Sequence, residues 1–226
     1  MTTADPAAPV AVPTARVVLL TGPSGSGKST LAERTGLPVL NLDDFYKAAD
    51  DPTLPQLPHG AGPDWDSPLS WHADAAMAAL ETLARTGTAR VPVYDIASSS
   101  ITGDAVVGLG GVGLFVAEGI FAAELVARCE AAGLLGAAVC LRGRPVVTAW
   151  RRLRRDLREG RKSVPYLLRR GWRLMRAERG IVARQTALGA TACDGGAALA
   201  LITRAALTPS RRRPEAYAVR QAARAR

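Results

Sequence analysis

The sequence has few aromatic residues and no long hydrophobic run. Phe, Tyr and Trp together make up 5% of the 226 residues, whereas hydrophobic residues of all kinds make up 48%. Such a composition is typical of helices packed on a parallel sheet, and the length suits a single α/β domain. Every apolar run is far shorter than the roughly 20 residues that a membrane-spanning helix needs. We therefore expect one globular domain without a membrane partner.

Cysteine is also scarce. The three cysteines, Cys129, Cys140 and Cys193, are odd in number, and their spacings suit neither a zinc site nor a disulfide scaffold. We expect reduced thiols in or near the core and a cytoplasmic location. Residues 1–14 contain no basic segment ahead of an apolar block, so they are predicted to form a disordered leader and not a secretory signal.

The charge is strongly of one sign, with 29 Lys and Arg against 20 Asp and Glu, a net charge of +9. The excess lies mainly in residues 142–184 and 204–226. Residues 208–226 are typical of a solvated basic tail, which we expect to be disordered. Because the first basic stretch has a better explanation below, we do not expect nucleic acid as a partner.

The strongest motif lies near the N-terminus. Residues 22–30 read G-P-S-G-S-G-K-S-T and match the phosphate-loop pattern G-x-x-x-x-G-K-[ST]. An apolar run at 16–21 precedes the motif as a buried strand would, and a helical segment opens at Ser29, so the N-terminal dipole of the helix also favours an anion. We predict that a nucleoside triphosphate is bound by Gly22, Ser24, Gly25, Ser26, Gly27, Lys28, Ser29 and Thr30.

Strands and helices alternate along the rest of the chain. This alternation predicts a three-layer P-loop NTPase sandwich with a mostly parallel central sheet, in one domain over 15–207. Pro92 places the extended segment 90–95 at a sheet edge or outside the main sheet, and residues 106–113 are Gly-rich and predicted to be a turn. The predicted main strands are 16–21, 39–42, 114–117, 137–141 and 199–203, and predicted helices include 71–85, 122–132 and 167–188.

Two acidic residues follow apolar strands. In an open α/β sheet the ligand lies at the carboxyl ends of the strands, so Asp43 and Glu118 are expected in the same crevice. Glu118 is placed to hold Mg²⁺ with Ser29, directly or through water, and Asp43 to accept the proton of an attacking hydroxyl. Asp44 competes for that role, but alternation along a strand would point Asp43 and Asp44 to opposite sides. A helix cap at Asp43 and a solvated strand end at Glu118 stay open as alternatives.

The second informative segment is rich in arginine. Residues 151–162 read RRLRRDLREGRK, and Arg151, Arg155 and Arg158 share one face of a helix. Such a density of guanidinium groups repels itself unless anions compensate it, as a triphosphate does. We predict a helical lid over about 150–165 that closes on the phosphates and excludes water, with a hinge at Gly160. A solvated basic helix or an RNA-facing patch are the alternatives.

The order of these motifs resembles that of the uridine kinases, a branch of the P-loop kinases that also includes phosphoribulokinase and pantothenate kinase. The similarity spans roughly residues 16–165. The motifs that carry it are the phosphate loop, Asp43-Asp44-Phe45-Tyr46, Pro63-Asp64-Trp65-Asp66, Pro92-Val93-Tyr94-Asp95, Glu118-Gly119-Ile120 and the Arg-Arg-x-x-Arg-Asp series from Arg151.

The resemblance implies roles for individual residues. Asp43 would be the catalytic base for a nucleoside 5′-hydroxyl, with Lys28 and Arg155 acting on the transferred phosphoryl group. Arg152 and Arg155 would bind the phosphates of ATP, with Mg²⁺ as the second cofactor. The implied substrate residues are Tyr46, Asp66, Tyr94 and Arg161.

One departure from the family concerns the acceptor. Ser99 stands where uridine kinases carry a histidine that contacts the pyrimidine. Three hypotheses follow: a uridine or cytidine kinase, a kinase for another small alcohol, and a non-catalytic ATP-binding protein that grips nucleic acid or regulates. The sequence leaves a homo-oligomer open.

Overall fold

The computed structural model describes residues 13–60, 62–143 and 178–208. The predicted lid at 150–165, most of the predicted leader and nearly all of the predicted tail lie outside these residues. The described strands are β1 Arg16–Thr21, β2 Val39–Asn41, β3 Thr88–Asp95, β4 Ser100–Gly108, β5 Leu114–Glu118, β6 Leu135–Leu141 and β7 Thr191–Cys193. The described helices are α1 Lys28–Arg34, α2 Ala73–Thr86, α3 Val126–Ala131, α4 at 178–187 and α5 Gly195–Leu207.

The main sheet has five parallel strands in the order β2-β5-β1-β6-β7. β1 lies at the centre, with Val18 opposite Val116 of β5 and Ala137 of β6. Its strands are nearly continuous apolar runs because both faces of a parallel sheet are covered by helices. The predicted α/β class with a mostly parallel sheet is confirmed.

The core lies on both faces of this sheet. Successive side chains of β1 alternate between the faces, so Val17 and Leu19 pack on one side and Val18 and Leu20 on the other. The first face is covered by α2 and α3, and the second by α1 and α5. The rigid sheet fixes where each strand ends, and the candidate site is built at those ends.

A separate antiparallel hairpin is formed by β3 and β4. Pro92 is therefore outside the main sheet, as predicted, in a place where no central ladder hydrogen bond is lost. The turn predicted over 106–113 was wrong in its first part, because β4 continues to Gly108 and pairs there with Thr88. Turn residues follow only from Leu109, whose N–H donates to the Gly87 carbonyl over 2.8 Å.

Other predicted boundaries also need correction. The strand predicted at 199–203 is part of α5, because the Asp194 side chain caps that helix by accepting from the Ala197 N–H over 2.9 Å. The last strand is Thr191–Cys193 instead. α2 begins at Ala73 after His72, and not at residue 71. The predicted helix over 122–132 is a 3₁₀ turn at Ala122–Leu125 followed by α3.

The cysteines are buried and free, as expected. Burial raises the pKa of the Cys129 thiol to about 12 and that of Cys140 to about 11, so both are protonated at neutral pH. Within the described ranges, no helix is both long and apolar enough to cross a membrane.

Candidate active site

The phosphate loop lies between β1 and α1, at the centre of the sheet. Gly22 has φ of 142° and Gly27, the N-cap of α1, has φ of 96°, both in the region that glycine tolerates best. A β-carbon on Gly22 would also overlap the carbonyl oxygen of Leu141 at the end of β6. The loop thus has a shape that larger residues could not adopt, with the backbone turned towards the strand ends.

Two polar groups are buried inside this loop. Lys28 is 8% exposed, and its Nζ donates to the Gly22 carbonyl over 3.1 Å. The Ser26 hydroxyl is buried and has no hydrogen-bond partner among the described residues. Buried polar groups are normally satisfied, because leaving one unpaired costs about 1–3 kcal/mol. A cation and a free hydroxyl at the same loop fit the binding of phosphate oxygens.

Ser29 and Glu118 form a pair of oxygen groups beside the loop. The Ser29 hydroxyl donates to Glu118 Oε1 over 2.6 Å, although Ser29 lies in α1 after β1 and Glu118 ends β5. Glu118 is 8% exposed. Mg²⁺ prefers oxygen ligands and keeps several waters or phosphate oxygens, so two protein ligands suffice for it. The donor set fits that metal. In the described part of the chain, no cluster of three His, Cys, Asp or Glu offers a denser site.

Asp43 faces the same crevice from the end of β2. It lies in the 3₁₀ turn Leu42–Phe45, where the Asn41 side chain accepts from the Asp43 N–H over 3.1 Å. The Asp43 carboxylate accepts from the Ile120 N–H over 3.3 Å. Burial raises the pKa of Asp43 above its ordinary value, against the opposing effects of the Lys28 charge and the Ile120 hydrogen bond. This is an environment in which a carboxylate can take up a proton.

Asp44 has a different environment. Its carboxylate accepts from the Tyr94 N–H over 3.2 Å and so links the turn to β3. The prediction that strand alternation points Asp43 and Asp44 to opposite sides was wrong. Both residues lie in a 3₁₀ turn and not in a strand, so their directions differ by about a third of a turn.

Gly119 allows the turn at Asp43 to lie close to the end of β5. A β-carbon at this position would lie 2.8 Å from Leu42 Cβ and 3.1 Å from Asp43 Oδ1. Only glycine therefore fits without moving the turn. Sequence reasoning gave this residue no role, although its place directly after Glu118 was a usable signal.

Aromatic rings line the other side of Asp43. The Tyr46 ring centroid lies 6.0 Å from that of Trp65, 5.9 Å from Tyr94 and 5.8 Å from Phe121. Burial and then the nearby charges of Asp43 and Asp66 raise the pKa of Tyr46, so its hydroxyl stays protonated and donates to the Trp65 carbonyl over 3.3 Å. The structure thus brings Tyr46, Tyr94, Asp43 and Asp66 together. Trp65 and Phe121 were not predicted as site residues.

The acceptor side is bordered by two loops. Asp66 is exposed, and its N–H donates to Asp64 Oδ1 over 3.2 Å. Ser99, at the tip of the β3–β4 hairpin, has φ of 50°, and its carbonyl accepts from the Ala49 N–H over 2.8 Å. Ser99 therefore ties the hairpin to the long loop after Tyr46. The predicted lid residues Arg152, Arg155 and Arg161 lie outside the described residues, and their roles stay predictions.

Comparisons with known proteins give structural neighbours only. No protein-family model and no curated protein matches the sequence. Among solved structures, a candidate fructose transport system kinase from Silicibacter sp. TM1040 has a TM-score of 0.56 at 21% identity, over 80% of this chain and 88% of that one. This chain has the fold of the P-loop kinases.

Two more distant neighbours are similar over less of their structure. A candidate uridine kinase from Bacillus stearothermophilus has a TM-score of 0.44 at 20% identity, over 59% of this chain and 74% of that one. Phosphoribulokinase from Rhodobacter spheroides has a TM-score of 0.48 at 14% identity, over 77% of this chain and 68% of that one. Both TM-scores are below 0.5, so neither neighbour carries an argument about this chain.

Proposed function

We propose that this protein is an ATP-dependent kinase that phosphorylates a hydroxyl of a small molecule, with the 5′-hydroxyl of uridine or cytidine as the leading acceptor. The observation that carries this proposal is the environment of Asp43. Its carboxylate is partly desolvated, accepts a hydrogen bond from Ile120 and interacts with the charge of Lys28 in the phosphate loop. A base beside a triphosphate site is what phosphoryl transfer to an alcohol requires.

The donor half uses the phosphate loop. Its backbone and the Lys28 ammonium group bind the β- and γ-phosphates and offset their charge, and the Ser26 hydroxyl is available to the same oxygens. Ser29 and Glu118 are the residues that would hold Mg²⁺, which would neutralise further charge on the phosphates. Arg152 and Arg155, which lie outside the described residues, would complete the cation set from the predicted lid.

The acceptor half uses the residues around Tyr46. Asp43 accepts the proton of the attacking hydroxyl while the bond from the hydroxyl oxygen to the γ-phosphorus forms, the bond from that phosphorus to the β–γ bridging oxygen breaks, and ADP leaves. Asp66 would accept hydrogen bonds from the ribose hydroxyls, and the rings of Tyr46 and Tyr94 would flank the sugar and base. Arg161 would approach from the lid. The three buried free thiols fit a reducing compartment, which we propose is the cytoplasm.

The substitution Asp43→Asn tests the mechanism. Asn keeps an oxygen for the Ile120 N–H but cannot take a proton, so turnover should fall about 100-fold or more while ATP affinity stays nearly unchanged. Asp44→Asn is the matched control, because the Asp44 carboxylate bonds to β3. It should retain most of the turnover. Turnover of Asp43→Asn close to that of the wild type would remove Asp43 from the mechanism.

A second acceptor class is favoured by Ser99. A serine there cannot make the charged or ring contacts of a histidine with a pyrimidine, and its carbonyl is engaged with Ala49. The alternative acceptor is another small alcohol, such as a sugar, a sugar phosphate or a pantothenate-like compound. The neighbour described as a fructose transport system kinase adds fructose to the compounds worth testing.

An acceptor panel separates the two classes. ADP release and the mass of the phosphorylated product would be measured with purified protein against uridine, cytidine, purine nucleosides, fructose, sugar phosphates and pantothenate. Product from a pyrimidine nucleoside alone supports the leading acceptor. Failure with every nucleoside, together with product from another alcohol, would overturn it and support the alternative. Failure with the entire panel would overturn both acceptor classes.

A further inference from the structure

The residue that binds Asp43 is itself held by two side chains. The Ile120 N–H donates to Asp43 Oδ1, and the Ile120 carbonyl accepts from Thr21 Oγ1 over 3.0 Å and from Gln185 Nε2 over 3.0 Å. The N–H and carbonyl of Ile120 belong to adjacent peptide groups that meet at one α-carbon. Fixing the carbonyl therefore restricts the direction of the N–H that points at Asp43.

Gln185 reaches this carbonyl from a distant part of the sequence. It lies in α4, is 5% exposed, and its amide oxygen accepts from the Cys140 thiol over 3.1 Å. A protonated thiol is a donor, so it selects the orientation in which the amide oxygen faces β6 and the NH₂ faces Ile120. Cys140 thereby determines that the NH₂ group of Gln185 donates to the Ile120 carbonyl.

We propose that Gln185 is a positioning residue for Asp43, acting through the backbone of Ile120, with Cys140 setting the orientation of its amide. The arrangement holds Asp43 Oδ1 on the Ile120 N–H and leaves Oδ2 for the acceptor hydroxyl. Thr21, directly before the phosphate loop, binds the same carbonyl, so the segment that orients the base is anchored to the strand that carries the donor site. The use of this device in catalysis rests on the proposed function.

Several ionisable groups act on Asp43 besides this hydrogen bond. Lys28 lies on the donor side, and Asp44 and Tyr46 follow in the same segment. In the described hydrogen bonds, the partners of Gln185 are Ile120 and Cys140, and none of these ionisable residues is among them. Replacing Gln185 should therefore change the properties of Asp43 through Ile120 while leaving those charges in place.

The test is a titration of Asp43 in the full-length chain labelled with ¹³C at its aspartate carboxyl groups. Asp43→Asn assigns the signal, and wild type is compared with Gln185→Met, a variant of similar size without a donor. Thr186→Val is the control, because this exposed neighbour on α4 bonds only to the Val182 carbonyl in the described hydrogen bonds. We expect the pKa of Asp43 to be higher in Gln185→Met than in wild type, because a less firmly held Ile120 weakens the N–H bond that favours the charged carboxylate. Thr186→Val should have the wild-type pKa.

Kinetics supply a second measurement. At pH 7, kcat of Gln185→Met should fall about tenfold, with KM for ATP and acceptor within about twofold of wild type, because orientation of the base matters mainly in the transition state. A merely structural role would lower the melting temperature without raising the pKa of Asp43. An unchanged pKa in folded Gln185→Met would therefore overturn the proposal.

Cys140 provides an independent pair of variants, which decides the matter if Gln185→Met does not fold. Cys140→Ala removes the donor that orients the amide and should raise the pKa of Asp43, whereas Cys140→Ser keeps a donor and should not. Equal titration in both variants would contradict the proposal. Because the titration needs no turnover, a raised pKa in a protein that phosphorylates no acceptor would support the positioning and overturn the proposed function instead.

Discussion

Ser29 and Glu118 are joined by a hydrogen bond of 2.6 Å between the hydroxyl and the carboxylate. Ser29 lies in the first turn of α1, which follows β1, and Glu118 is the last residue of β5. Because β1 and β5 are parallel neighbours, their carboxyl ends meet at one edge of the sheet. The bond therefore joins the two proposed Mg²⁺ ligands at that edge of the sheet.

The first prediction concerns magnesium. Ser29→Ala should raise the Mg²⁺ concentration for half-maximal activity roughly tenfold, because it removes one of two oxygen ligands and frees the carboxylate of Glu118. The measurement is a Mg²⁺ titration of ADP release at saturating ATP. Thr82→Ala is the control, because this exposed hydroxyl lies in α2 and donates to the Ala78 carbonyl, and it should leave the midpoint nearly unchanged. Equal midpoints for Ser29→Ala and wild type would exclude Ser29 as a ligand.

The second prediction concerns the nucleotide. Lys28→Met should weaken ATP binding about 10- to 100-fold, because charged hydrogen bonds to phosphate contribute about 1.5–3 kcal/mol. Calorimetry with the purified protein would measure the Kd. Arg34→Met removes an exposed cation from the other end of α1 and should bind ATP like wild type. Equal losses in the two variants would indicate a general charge effect instead of a contact.

The third prediction concerns the pH dependence of the rate. Burial places the pKa of Asp43 above the ordinary 3.8, so kcat should fall as the pH drops through this raised pKa, at a higher pH than for an exposed aspartate. Rates would be measured from pH 4 to 8. The rate of Asp44→Asn should still fall at low pH, whereas the residual rate of Asp43→Asn should not. This difference separates the titration of Asp43 from that of ATP. A fall that persists in Asp43→Asn would contradict the assignment.

The same pKa makes a prediction about stability. A carboxyl group whose folded-state pKa is raised binds its proton more tightly in the folded chain, so ionisation costs stability as pH rises through that pKa. Asp43→Asn should therefore melt at a higher temperature than wild type at pH 8, with a smaller difference at pH 5. Thermal unfolding at both pH values measures this. A lower melting temperature for Asp43→Asn at pH 8 would show that the pKa is not raised.

The last prediction concerns Gly119. Gly119→Ala should lower turnover about tenfold or more, because its β-carbon would push Leu42 and Asp43 away from the end of β5. Overpacking should also destabilise the fold by about 1–3 kcal/mol, measured by denaturant unfolding. Gly180→Ala, in α4 with open space around the new methyl group, is the control and should leave turnover unchanged. Equal turnover in both variants would show that the turn adapts.

Local patterns in the sequence were enough to predict the fold and the position of the phosphate loop between β1 and α1. The phosphate loop is one continuous segment, so the spacing of its glycines and Lys28 identifies it in the sequence. The alternation of apolar strands with helices predicts a parallel sheet. The strand predicted at 199–203 was wrong because the local pattern there was ambiguous. A short apolar run does not distinguish a strand from a helix, and Asp194, which caps α5, decided between them.

The charged residues, the phosphate loop and the acidic residues at the strand ends can be read from the amino-acid sequence alone. How these segments meet depends on the packing of the folded chain. Asp43 and Asp44 are adjacent in sequence, yet one binds Ile120 at the end of the sheet and the other binds Tyr94 of the hairpin. Gln185 and Cys140 belong to no sequence motif. The contact of Gln185 with Ile120 and that of Cys140 with Gln185 depend on the packing of α4 against β6. Hydrogen bonds between distant segments exist only once the core has fixed their backbones.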